Sequence, residues 1–269
     1  MHIAKTVIVI LGVLFGCRTI DSGKVNMIDE SVKQSIDIVK NLRIYFGHQS
    51  VGANVLEGLE ELKAGSSSDN LNIVSLDSAG NLPENFFAHS KIGANENPAS
   101  KCNAFSAILK SDSFDSLDIA LFKFCYIDIN SETDIHAMFR HYEQTIEKVK
   151  SEFPGLQIVH VTVPLRQQSG GIMVKLRSLM GEKSEWETAN IKRNEFNDLL
   201  KSRYTGEPLF DLAEVESTYP DGARRTFKSD GKIYYSLISD YASDSGHLNK
   251  LGRGLAAKEL LNVLARIPK

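Results

Sequence analysis

Ile28, Val32, Ile36 and Val39 recur at helical spacing with polar residues between them, and the unbroken apolar run 42–46 that follows suits a strand. A second helical pattern runs from Ser50 to about Lys63 and stops in the loop chemistry of Ala64-Gly65-Ser66-Ser67-Ser68. Residues 71–76 give the next strand. Segment 77–101, with Gly80, Pro83, Gly93, Pro98 and several Asn, fits neither period and reads as a long functional connection. A short helix over 103–110 leads into 117–125, an apolar run broken only by Lys123, as expected of a strand covered on both faces.

Ile135, Met138, Phe139, Tyr142, Ile146 and Val149 mark a long amphipathic helix, and 156–163 is another buried strand ending at Pro164. A helix over 185–202, a short fifth strand over 208–212 and a last helix from about Asn249 complete the pattern. Strands separated by helices predict an α/β domain over 26–269, with a mainly parallel five-stranded sheet between two layers of helices. Ligands of such sheets bind beyond the carboxyl ends of the strands. That rule gathers Ser50, segment 77–101, residues 126–130 and residues 166–171 around one cleft.

Composition adds little to this picture except at the start of the chain. A formal charge of −3 offers no basic field for nucleic acid. Residues 1–17 have a positive start, an apolar run over 6–15 and then Gly16-Cys17. The run is too short to span a bilayer and matches a signal peptide. Its Leu14-Phe15-Gly16-Cys17 end resembles a bacterial lipobox, so the expectation is an exported protein, periplasmic or at the cell surface, held to a membrane by lipid on Cys17, with 18–25 as linker. A plain secretory signal with an incidental cysteine is the alternative. Export permits disulfides, but spacing does not decide whether Cys102 and Cys125 pair or stay free.

The chemistry-bearing residues lie far apart in sequence. In Asp244-Ser245-Gly246-His247 a carboxylate three residues before a histidine can hold one ring nitrogen while the other faces the cleft. Ser50, in Gly47-His48-Gln49-Ser50-Val51-Gly52, can supply the hydroxyl such a base would activate. Each piece alone has a plainer reading, Ser50 as a helix cap and Asp244 as a loop acceptor. Gly-x-Ser-x-Gly, the elbow of α/β-hydrolases, is absent, since His48 stands two before Ser50. His48, His89, His136, His141, His160 and His247 show no metal-ligand spacing, and no phosphate-loop pattern occurs, so neither metal nor cofactor is implied.

Taken together, the blocks at 42–56 and 240–262 resemble those of the SGNH hydrolases, the GDSL-type lipases and esterases, in a divergent spelling with Gly-His-Gln-Ser for Gly-Asp-Ser. The resemblance implies a flavodoxin-like three-layer α/β/α sandwich and a triad of Ser50, His247 and Asp244. It makes Gly93 a candidate oxyanion donor through its N–H and places Lys123-Phe124-Cys125-Tyr126-Ile127-Asp128 at the third block. There Ile127 stands where the family has a donor Asn, so a substitute is needed, with His48, Asn54, Asn95 and Asn130 as candidates. Tyr126, Arg166 and Asn95 would line the cleft. The implied activity is hydrolysis of a short acyl ester, such as acetyl, on a carbohydrate or other polar small molecule; a non-catalytic binding lipoprotein is the alternative.

Overall fold

The computed structural model describes residues 27–66, 71–78, 81–112, 114, 116–168 and 183–268. The leader, Cys17 and the 18–25 linker lie outside these residues. The elements are α1 (Glu30–Val39), β1 (Arg43–His48), α2 (Ser50–Ser66), β2 (Ile73–Ser75), β3 (Phe86–Lys91), α3 (Pro98–Leu109), β4 (Ile119–Phe122) and α4 (Ile135–Glu152). They continue with β5 (Gln157–Val161), α5 (Glu185–Arg203), β6 (Leu209–Phe210), α6 (Leu212–Ser217), β7 (Thr226–Ser229), β8 (Lys232–Tyr235) and α7 (Lys250–Ala265).

Six strands pair in the order β2-β3-β1-β4-β5-β6, every pair parallel, and β7 and β8 form a separate antiparallel hairpin. The central strands are buried on both faces, and the pleat divides their side chains between two cores. Ile44, Phe46, Ile119 and Leu121 join the residues of α1, α2 and α7 on one side. Tyr45, Ala120 and Phe122 join those of α3, α4 and α5 on the other. This is the three-layer α/β/α sandwich.

Helix starts follow local sequence. Asp29, Asn97, Asp134, Ser184 and Asn249 each cap a helix by accepting from a backbone N–H in its first turn. Pro98 begins α3, whose start lies five residues before the expected 103.

The sheet has six strands rather than five because segment 77–101 contains β3, inserted between β2 and β1. Phe86, Phe87 and Ala88 are buried, but the polar His89 and Ser90 that follow break the apolar signal. Their polarity is absorbed by other strands: Ser90 meets the Tyr45 hydroxyl at 2.8 Å and His89 meets His48 at 3.0 Å. Cys102 and Cys125 are free and buried, and burial pushes the Cys102 thiol up to about 12.

Candidate active site

β1, β3 and β4 end at His48, Lys91 and Phe122, so the loops that follow them share one edge of the sheet. Ser50 is the first residue of α2, where backbone N–H groups have no carbonyl one turn back and the helix dipole is positive. From the far end of the chain, the loop before α7 brings His247 to it. The Ser50 hydroxyl donates to His247 Nε2 at 2.9 Å, and His247 Nδ1 donates to Asp244 Oδ2 at 2.6 Å.

Asp244 is held as an anion. Partial burial opposes its charge, but the N–H groups of Gly246 and His247, both donating to Oδ1 at 2.8 Å, and the His247 ring outweigh that and bring its pKa down to about 2. The carboxylate therefore fixes both the backbone turn and the tautomer of the imidazole.

Neighbouring elements clamp this loop. Gln167 donates from its side chain to the Asp244 carbonyl at 2.7 Å and from its backbone to the Ser245 carbonyl at 3.0 Å. Arg166 donates to the Ser245 hydroxyl at 2.8 Å, and its guanidinium lies over the Tyr126 ring. Tyr126 packs edge-on against His247 and fills the space a side chain at Gly246 would occupy. Beneath them, buried Glu216 accepts from the Leu165 N–H at 2.6 Å, and Asn190 accepts from the Arg166 N–H at 3.1 Å. Burial raises the Glu216 pKa to about 8.

Gly93 lies in the loop after β3 with φ +58°, and a Cβ there would come within 2.7 Å of the Lys101 nitrogen and the Ser100 hydroxyl, so only glycine fits. Its N–H has no acceptor among the described residues. The loop is anchored by a fully buried ion pair. Lys101 Nζ donates to both Asp128 oxygens at 2.6 and 2.7 Å and to the Ala94 carbonyl at 3.0 Å. Asp128 also accepts from the N–H groups of Glu96 and Cys125, which ties the Gly93 loop to the turn after β4.

The structure thus brings Ser50, His247, Asp244, Tyr126 and Arg166 together. Three of the expected substitute donors have other partners. Asn54, one turn beyond Ser50, accepts from the Leu248 N–H at 3.1 Å and so ties the His247 loop to α2. His48 is buried, with one ring nitrogen on the Gln49 carbonyl and the other on His89. Burial brings its pKa down to about 4, so it is neutral and already bonded at both nitrogens. Asn95 is exposed in the loop with its side-chain amide unengaged among the described residues. Asn130 instead closes its own turn, accepting from the Glu132 N–H. Ile127, which the resemblance puts where a donor Asn is expected, is 38% exposed.

Gln49 and Lys101 are supporting residues that sequence reasoning did not assign; Gln167, expected only within the 166–171 segment beside the cleft, holds the Asp244 loop. Gln49 stands beside Ser50, which was the available signal; nothing in the sequence links Lys101 to Asp128. Among the described residues no three His, Cys, Asp or Glu side chains are grouped to hold a metal ion, and no helix is long and apolar enough to cross a membrane.

No family model matches the chain, and no curated protein matches it. Solved structures do. One is described as "a putative platelet activating factor" from Streptococcus pneumonia, at 15% identity and TM-score 0.51, covering 87% of this chain and 90% of that one. A member of the lipolytic protein G-D-S-L family from Veillonella parvula follows at 15% identity and TM-score 0.48, covering 83% and 98%. An acetyl xylan esterase matches at 14% identity and TM-score 0.45, covering 82% and 98%. At these identities the likeness is one of fold.

Proposed function

We propose that the protein is a serine esterase of SGNH hydrolase type that removes short acyl groups, such as acetyl, from a carbohydrate or other polar small molecule. The observation that carries this reading is the unbroken chain from the Ser50 hydroxyl through His247 to Asp244, at 2.9 and 2.6 Å. His247 Nε2 takes the Ser50 proton as Oγ attacks the ester carbonyl. The oxyanion of the tetrahedral intermediate is held by the N–H groups of Ser50 and Gly93, with the Asn95 amide replacing the donor absent at Ile127. His247 then gives the proton to the departing alcohol, and water attacks the acyl-Ser50 ester by the same route in reverse.

A polar substrate is favoured by the rim, where Arg166 and Tyr126 stand beside His247. The segment ending at Cys17 would export the enzyme and tether it. Membrane association that persists after Cys17→Ser would remove the lipid anchor from this proposal.

Labelling with an organophosphonate followed by mass spectrometry tests the chemistry. The expected result is an adduct on Ser50 that is absent in His247→Ala. A wild-type protein that neither labels nor hydrolyses p-nitrophenyl acetate would leave a binding protein instead of an enzyme.

A further inference from the structure

Gln49 separates the nucleophile from the buried histidine and bonds at both ends. Its side-chain nitrogen donates twice, to the Ile92 carbonyl at 2.8 Å and to the Gly93 carbonyl at 2.9 Å. Its own backbone carbonyl accepts from His48 Nδ1 at 2.9 Å and from the Ala53 N–H at 3.0 Å. A carbonyl can only accept, so His48 carries its proton on Nδ1 and presents a lone pair at Nε2. His89 Nδ1, 3.0 Å from that lone pair, must then be the donor.

The tautomers of both rings are fixed by this chain. It runs from His89 on β3 to His48 at the end of β1, then to Gln49, and Gln49 returns to the residues that follow β3. The Ile92 N–H closes the circuit by donating to the His48 carbonyl at 3.0 Å. Gly52 leaves room for the arrangement, since a Cβ there would come within 2.3 Å of the His48 Cβ.

The carbonyl of Ile92 and the N–H of Gly93 belong to one planar trans peptide and point in opposite directions. Anchoring that carbonyl on Gln49 therefore fixes the direction of the Gly93 N–H. The second bond, to the Gly93 carbonyl, fixes the next peptide plane as well. Glycine at φ +58° has little intrinsic resistance to rotation, so the constraint has to come from such a partner.

We infer that Gln49, locked in place by the His48–His89 pair, is a positioning residue that aims the Gly93 N–H at the oxyanion formed on Ser50. This rests on the esterase reading above. Gln49 touches no reacting atom; it acts through the Gly93 peptide. His48 then supports the site from behind the nucleophile turn and is not the substitute donor.

Two variants, assayed with p-nitrophenyl acetate, test the role. Gln49→Met keeps the length and removes both donors. Its kcat should fall by about 10- to 100-fold, less than the loss of a whole oxyanion donor, with KM within about threefold of wild type. Gln49→Glu faces two carbonyl oxygens with a carboxylate, which disfavours the charged form and raises its pKa. Protonation restores one donor, so the ratio of its kcat to that of wild type should rise several-fold as pH is lowered from about 8 to about 5.5.

Lys91 and Lys123 at the strand ends, His48 and His89 beside them, Asp77 beyond, and His247 with Asp244 across the turn also carry or gain charge. Taking the ratio to wild type removes the pH dependence that the two proteins share. A Gln49→Met kcat within twofold of wild type, or a flat Gln49→Glu ratio, overturns the role of Gln49 while leaving the esterase intact. An inactive, unlabelled wild-type protein overturns both.

Discussion

Ser50 turns its side chain to His247 and not to the helix it begins. As the first residue of α2 it sits where unsatisfied N–H groups gather, and its hydroxyl lies on His247. No backbone N–H among the described residues donates to that hydroxyl, so the helix-cap reading of this serine is not met. Replacing it with alanine should lower kcat/KM on p-nitrophenyl acetate by about 10⁴-fold or more, with little change in the midpoint of thermal unfolding. Asp244→Asn should cost about 10⁴-fold in kcat, because an amide at Oδ2 can offer a donor to His247 Nδ1 and favour the wrong tautomer. Equal kcat values for wild type and Asp244→Asn would mean that the carboxylate serves only its turn. Asp244 and His247 were legible as a pair because their spacing is local, and Ser50 as a candidate because it follows the first strand. Gln49 and the Lys101–Asp128 pair were not, because their partners are set by which strand ends lie side by side.

Two contacts between elements carry more than their sequence suggests. α2 and α7 cross at Gly58, where a Cβ would come within 2.4 Å of the Arg253 carbonyl. Gly58→Ala should push the helices apart and destabilise by about 1–3 kcal/mol, measured as a lower urea midpoint. Since Ser50 begins α2 and His247 precedes α7, the same variant should also reduce kcat. The Lys101–Asp128 pair joins the Gly93 loop to the turn after β4 with both side chains at 0% exposure. Asp128→Asn leaves a buried ammonium without its counter-charge and should cost about 3–5 kcal/mol, again read by urea unfolding. The longer helices were the readable elements, most with a capping residue at the start, while the six-residue α6 was not read. β3 was not, because His89 and Ser90 find their partners on β1, and a sequence window cannot show that a polar side chain is satisfied from another strand.

Across the whole molecule, three buried ionisable groups pull stability in opposite directions between about pH 4 and 8. Burial lowers His48 and His160 from 6.5 to about 4, so both are neutral in the fold while the unfolded chain binds their protons below pH 6.5. Stability is therefore lost as pH falls from about 6.5 towards 4. Burial raises Glu216 from 4.5 to about 8, so the fold retains its proton while the unfolded chain ionises above pH 4.5, and stability falls as pH rises towards 8. Between pH 4.5 and 6.5 the two histidines outweigh the one carboxyl, which places the maximum near pH 6.5. Thermal melts across pH 4–9 should show it, and Glu216→Gln should flatten the alkaline side; a wild-type profile without an alkaline decline would show that Glu216 ionises freely in the fold.

By itself the sequence determined the layering and the chemical groups. Apolar periodicity is a local property, so it specified an α/β chain with a parallel sheet and helices on both faces, while the Asp-x-x-His spacing and the resemblance of the two terminal blocks singled out Ser50, Asp244 and His247 as candidates. Only the tertiary structure decided that Ser50 and His247 meet, that β3 lies between β2 and β1, and that His48 turns to His89. Those outcomes depend on which distant segments share an edge of the sheet, and hydrogen bonds across such distances leave no period in the sequence.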